Sequence, residues 1–328
     1  MAKKAVLLLL VAFFLLTSPV NLRAQKLRVA TLYIGSTMLP LWIAQEEGTF
    51  TRRGLEVELI WLQSSLSTFA LIAGEVDLIF GTPQETLLAM TTKNLLPLVT
   101  IGAWETNSKH WLVVSPKIQT PKELSGKTLA TSRPKAADEG YARIILRRFG
   151  VNPEQITFIS AGGQRDRIAA LKSGTVQGSV LNAYNTLLLE ELGFKRLAKL
   201  ETSEFPFPPA TLTTRKETAI VKRGPIKAFL SSMVEGTRGQ NQDKEFSLKL
   251  LRKYMKMQNP KVLDAAYNDS VMLQYPYMTR EQLNSSLDIL EASTGVRPRI
   301  SFEEFVDHSL LQEIRLQQEK IDGNPTVK

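Results

Sequence analysis

Short β-branched and apolar runs alternate with helix-length segments from Lys26 to Leu200, and the series runs twice. Residues 26–32, 55–62, 76–80 and 95–102 read as strands, the second with clean period-two alternation. Residues 40–47, 66–73 and 84–93 read as the helices between them, two of them stopped by Gly48 and Gly74. The second series has strands at 127–131, 156–159, 177–181 and 195–200, with helices at 136–149, 164–172 and 184–192 that end at Gly150, Gly174 and Gly193. Strands alternating with helices of this size make βαβ units and parallel sheets. Two such series predict an α/β chain of two similar lobes, each a mostly parallel sheet flanked by helices. Thr120-Pro121-Lys122-Glu123 is a capping box that opens a short helix inside the second lobe.

The stretch 204–209 holds three prolines and marks a crossing back to the first lobe. Beyond Thr214 the pattern is helical. Ile226, Phe229, Leu230, Met233 and Val234 fall on one face, and so do Phe246, Leu250, Leu251 and Tyr254. Capping boxes at Thr279–Gln282 and Ser301–Glu304 start two more helices of this C-terminal extension. The expected division is 1–24 as a leader, 25–110 with 210–328 as the first lobe, and 111–209 as the second.

The leader is read from Lys3 and Lys4, an uncharged apolar run over 5–16, Pro19, and Ala24 before Gln25. These are the parts of a cleavable secretory signal peptide, and the run is too short to span a bilayer. The working chain is therefore expected in the periplasm. With no cysteine it has no disulfide framework, no thiolate nucleophile and no lipid-anchor site. About 300 residues bury enough surface to do without staples. Loss of Lys3, Lys4 and Arg23 lowers the net charge from +9 to +6, and no five-residue stretch is continuously basic. That balance fits a solvated surface and gives no nucleic-acid footprint. His110 and His308 are the only histidines, too few for a zinc site or a histidine triad, and His110 is read as structural.

In parallel α/β sheets, ligands bind outside the carboxyl ends of the strands. The loops there carry Gly35-Ser36-Thr37, Gln63-Ser64-Ser65, Gly81-Thr82 and Trp104-Glu105-Thr106 in the first lobe. In the second they carry Ser132-Arg133, 161–165 and Asn182-Ala183-Tyr184. Such residues cap helices as readily as they bind ligands, but they recur at every strand end. Helix N-termini suit anions. No phosphate-binding loop, dinucleotide fingerprint or nucleophile elbow is present. Glu105, Asp138 and Glu139 fall near the expected cleft without an acid–base partner in view, and no cofactor or metal site is expected.

Residues 39–50 (LPLWIAQEEGTF) and 54–59 (GLEVEL) resemble the opening of the substrate-binding proteins of nitrate/sulfonate/taurine-type ABC importers. Further matches are 71–78 (LIAGEVDL), 124–130 (LSGKTLA) and 169–174 (AALKSG), so the likeness covers roughly 26–230 in order. The resemblance implies a type II-like periplasmic binding protein, monomeric, that closes on a small anionic or polar organic solute and delivers it to an ABC permease and its ATPase. It implies that Ser36, Thr37, Ser64, Ser65, Gly81, Thr82 and Trp104 line one side of the cleft, and Ser132, Arg133, Asn182 and Tyr184 the other. The chain departs from the family's glycine-rich second loop, having Gln63-Ser64-Ser65-Leu66, and its 132–135 loop is more basic. Two alternatives stand beside this reading: an enzyme of the same fold, such as a pyrimidine synthase or a lyase, and a ligand-sensing receptor component. The synthase reading expects cysteine and histidine chemistry that this composition does not supply.

Overall fold

The structure, a computed structural model, describes residues 24–62, 64–91, 97–104, 109–201, 203–272 and 275–321. The expected leader thus lies outside the described residues apart from Ala24, as do Gln63, Glu105 and Thr106.

Strands β1 (Gln25–Thr31), β2 (Leu55–Trp61), β3 (Leu78–Gly81), β4 (Leu98–Trp104) and β10 (Ala210–Arg215) form one sheet in the order β2-β1-β3-β10-β4. Strands β5 (Lys109–Val114), β6 (Thr128–Thr131), β7 (Thr157–Ser160), β8 (Gly178–Asn182) and β9 (Lys195–Glu201) form the other, in the order β7-β6-β8-β5-β9. The plans are identical. Three strands pair in parallel, and the fourth, β10 or β5, runs antiparallel to both its neighbours. The reason is topological. The chain leaves each lobe at the carboxyl end of a parallel strand, β4 or β9, and enters the other lobe at the facing edge. An entering strand can only run away from that edge, against its neighbours. Both entering strands carry a register shift midway, at Leu212/Thr213 and at Leu112/Val113.

The sequence reading missed β10. Its residues 210–215 read ATLTTR, with no apolar run, yet Thr211, Thr213 and Thr214 are buried. Their hydroxyls are satisfied: Thr214 donates to the Asp77 carbonyl just before β3 at 2.8 Å, and Thr213 meets Thr86 on the Pro83–Thr91 helix at 3.0 Å. β-branched threonine suits a pleated strand once its hydroxyl has a partner.

Apolar faces of β1 and β3 pack against the Arg223–Gln242 helix, where Ile226, Phe229, Leu230, Met233 and Val234 are all buried as their spacing predicts. A methyl on Gly236 would lie 2.1 Å from the Pro40 carbonyl oxygen, so a bare backbone lets this helix close on the Leu39–Glu46 helix. In the second lobe the core gathers Leu129, Tyr141, Ile145 and Val180. Both C-terminal capping boxes are formed, at Thr279/Gln282 and Ser301/Glu304.

The Arg280–Thr294 helix does not belong to one lobe. Its Leu283, Leu287 and Leu290 pack with Leu87 and Phe305, while its Ile289 enters the core of the second lobe. There it crosses the Ala137–Arg148 helix at Gly140, where a methyl would sit 2.4 Å from the Ile289 carbonyl oxygen. Gly140→Ala is therefore expected to destabilise the chain by about 1–3 kcal/mol, because the overlap is with backbone and outweighs the roughly 1 kcal/mol of helix propensity that alanine gains. Urea denaturation checks this; a more stable variant would show that the two helices part freely. Among the described residues no helix is long and apolar enough to cross a membrane.

Candidate functional site

The carboxyl ends of the parallel strands and the amino ends of β5 and β10 meet between the lobes. On the first lobe, Tyr33 follows β1 and donates its hydroxyl to the Pro209 carbonyl at 3.1 Å; the same oxygen lies 3.1 Å from Thr37 Oγ1. This ties the strand-end loop to the second chain crossing. Ser36 is buried at the start of a single 3-10 turn over Ser36–Met38. Ser64 and Ser65 open the Ser64–Ala73 helix. A methyl on Gly81 would lie 2.5 Å from Leu32, so Gly81 sits beneath that side chain, with half-buried Thr82 leading into the Pro83–Thr91 helix.

Trp104 corrects an expectation. It is fully buried, edge-on to Phe80 at 5.2 Å, and donates its indole N–H to Thr237 Oγ1 at 3.3 Å. It belongs to the first lobe's core and presents no wall to a cleft. Tyrosines stand at the junction of the lobes instead. Tyr184, on the Ala183–Glu190 helix of the second lobe, is buried with the first lobe's apolar cluster, and its hydroxyl accepts from Asn182 Nδ2 at 3.3 Å. A methyl on Gly35 would lie 3.9 Å from that hydroxyl, so the two lobes meet here. Asn182 is itself fixed by Gln164, whose Oε1 accepts the Asn182 backbone N–H at 3.1 Å and Asn185 Nδ2 at 2.6 Å.

The basic Ser132-Arg133 loop is already occupied by protein carboxylates. Asp138, second residue of the Ala137–Arg148 helix, accepts both the backbone N–H and the hydroxyl of Ser132 at 2.6 Å, and Arg167 Nη1 at 2.8 Å. It stands where a helix N-terminus would otherwise hold a ligand anion. Arg133 reaches across the cleft and pairs with Glu85 on the first lobe's Pro83–Thr91 helix. Burial pushes the Glu85 carboxyl above its usual range, and Arg133 opposes the shift. The N-terminus of the Gln164–Lys172 helix is closed in the same way: Gly162, at φ +85°, turns the chain so that the Gly163 N–H donates to Asp166 at 3.0 Å.

Behind these pairs lies His110, at the amino end of β5, its ring 4.4 Å from Tyr141 and 5.3 Å from Phe207. Burial, with help from the Arg167 charge, pushes its pKa down to about 4, so the ring is neutral at pH 7, and Nδ1 is buried without a partner. Gln84 is also buried with both amide atoms unpaired. Sequence reasoning passed over Tyr33, Gln84, Glu85, Tyr141 and Arg167. Among the described residues there is no group of three or more His, Asp or Glu that could hold a metal ion. What the arrangement offers is hydrogen-bonding side chains from two lobes, with Glu85 and Asp138 each paired to an arginine.

No curated protein matches the chain. Solved structures share its fold at low identity. The periplasmic nitrate-binding protein NrtA from Synechocystis PCC 6803 superposes with a TM-score of 0.71 at 13% identity, over 92% of this chain and 91% of that one. A putative periplasmic sulfonate-binding protein, SsuA from Methylobacillus flagellatus KT, gives 0.68 at 16%, over 93% and 98%. The desulfurization enzyme DSZB gives 0.68 at 12%, over 90% and 99%, so the fold by itself does not choose between binding and catalysis. Residues 36–240, more than half of the chain, match the model of the NMT1/THI5-like family, and the chain belongs to that family.

Proposed function

We propose that this protein is a monomeric extracytoplasmic receptor that captures a small polar organic solute between its lobes and delivers it to an ABC permease and ATPase. The observation that carries the reading is the contact between the lobes at the strand ends: the Arg133 side chain on Glu85, and the Tyr184 hydroxyl beside the Gly35 backbone. Closure of two lobes around a solute brings just such surfaces together. The nitrate- and sulfonate-binding proteins of the same fold support it, and the leader read at 1–24 supports export to the periplasm. Ser36, Thr37, Asn182 and Tyr184 are the sequence-predicted residues whose placement fits contact with the solute. Binding is favoured over catalysis because the carboxylates at the cleft, Glu85 and Asp138, are each held by an arginine.

The test is a thermal-shift panel of nitrate, alkanesulfonates and neutral organic solutes on the chain beginning at Gln25. A ligand at a hundredfold excess over Kd adds about 2.7 kcal/mol to the folded state, which raises the melting temperature by about 5 °C. Scattering should then show a smaller radius of gyration, and the solute should be recovered unchanged. A solute that is consumed would make the chain an enzyme, and silence across the panel would count against both.

A further inference from the structure

Gln84 is 3% exposed, and its amide nitrogen and oxygen are both buried with no hydrogen-bond partner. Native proteins keep few such groups, because each gives up its hydration for nothing. Gln84 is the second residue of the Pro83–Thr91 helix, one place before the Glu85 that reaches Arg133 of the other lobe. The helix begins directly after β3, at a strand end that borders the junction of the lobes, and Gln84 lies in its first turn. The carboxylates and arginines beside it are paired with one another. Glu85 lies on Arg133 and Asp138 on Arg167, while Ser132 and Gly163, the N–H donors that an anion would seek, are held by Asp138 and Asp166. On the facing lobe, His110 Nδ1 is a second buried group without a partner.

We infer that the cleft selects an uncharged solute with an amide-like edge, a donor beside an acceptor as in a primary carboxamide, a lactam or a urea, and that Gln84 reads this edge. The inference rests on the solute-receptor reading and narrows it. A glutamine amide pairs with such an edge through two hydrogen bonds, its N–H to the acceptor and its oxygen from the donor. A carboxylate or sulfonate offers acceptors only and leaves the Gln84 oxygen unpaired.

Matched pairs decide the matter: benzamide with benzoate, nicotinamide with nicotinate, and methanesulfonamide with methanesulfonate, each at millimolar concentration in a thermal-shift titration. The amide of a pair should stabilise the protein and the acid should not. Gln84→Leu should raise the melting temperature of the free chain, since it removes a buried unpaired amide, and should weaken the amide response at least tenfold. Gln84→Glu should lose the response too, which guards against a leucine variant that folds poorly. Response to the acids alone overturns the inference and leaves the receptor reading intact. No response to any pair also overturns it, and the receptor reading then survives only if nitrate or a longer alkanesulfonate binds. A Gln84→Leu chain that melts lower, or still answers to amides, makes Gln84 a structural residue and overturns the assignment.

Discussion

Asp269→Asn and His110→Phe are expected to change the pH dependence of stability in opposite directions. Asp269, on the Pro260–Ser270 helix, is 7% exposed and accepts the Lys109 backbone N–H at 3.1 Å, just where the chain enters the second lobe. Burial pushes its carboxyl from 3.8 up to about 7, against the pull of the Lys109 N–H and charge. Between those values the folded chain holds a proton that the unfolded chain has released, so stability falls as pH rises from about 4 to 7. At about 1.4 kcal/mol per unit, the full window is worth about 4 kcal/mol. Asparagine keeps the acceptor and cannot ionise. The variant should match the wild type near pH 4 and exceed it by about 4 kcal/mol at pH 8. His110 works the other way: with its pKa lowered from 6.5 to about 4, the unfolded chain takes up a proton that the folded one refuses, and stability falls as pH drops through that window. Phenylalanine retains the packing on Tyr141 and Phe207, so His110→Phe should gain on the wild type by about 3 kcal/mol as pH falls from 6.5 to 4. Urea denaturation from pH 4 to 8 reads both. A difference between wild type and Asp269→Asn that stays constant with pH would mean that Asp269 titrates as an ordinary carboxylate.

His110 is legible as a structural residue from the sequence, whereas nothing local marks Asp269 as buried. The apolar stripe at 226–234 was legible because a helix buried on one face repeats every 3.6 residues, and the strand-end loops were legible because parallel βαβ units put them at one edge. β10 was not, since its antiparallel course follows from the chain crossing and not from any local preference. Trp104 was misplaced for a related reason. All seven residues of β4 are buried, so the strand shows no alternation to say which side chains face the cleft. Ser132 and Arg133 were seen as donors, but their partners are a carboxylate six residues on and another on the opposite lobe. Asp138 at the second position of a helix could have been read as its own N-terminal anion. Glu85 and Gln84 could not, because nothing local separates a cleft carboxylate or amide from a solvated one.

Arg133→Ala should be among the most damaging single changes at the cleft, and the damage should depend on pH. The Arg133 side chain is 29% exposed and that of Glu85 only 9%, so truncation strands a buried carboxylate without its cation. Breaking such a pair from one side costs about 3–5 kcal/mol, far more than an exposed pair contributes. The loss has an escape. Burial already holds the Glu85 carboxyl above its usual range, and removing Arg133 takes away the charge that opposes this shift. The folded variant therefore keeps its proton to higher pH, and its deficit should be small near pH 4 and grow as pH rises toward the folded-state value. Glu85→Gln should cost less, because the freed guanidinium can turn to solvent. The double variant Arg133→Ala with Glu85→Gln should recover most of the loss, since no buried charge remains unpaired. Urea denaturation of the four chains at pH 5 and pH 8 closes the cycle. A coupling energy near zero at both pH values would mean that Arg133 and Glu85 do not meet in solution, and the cleft would then have a free cation to offer an anionic solute.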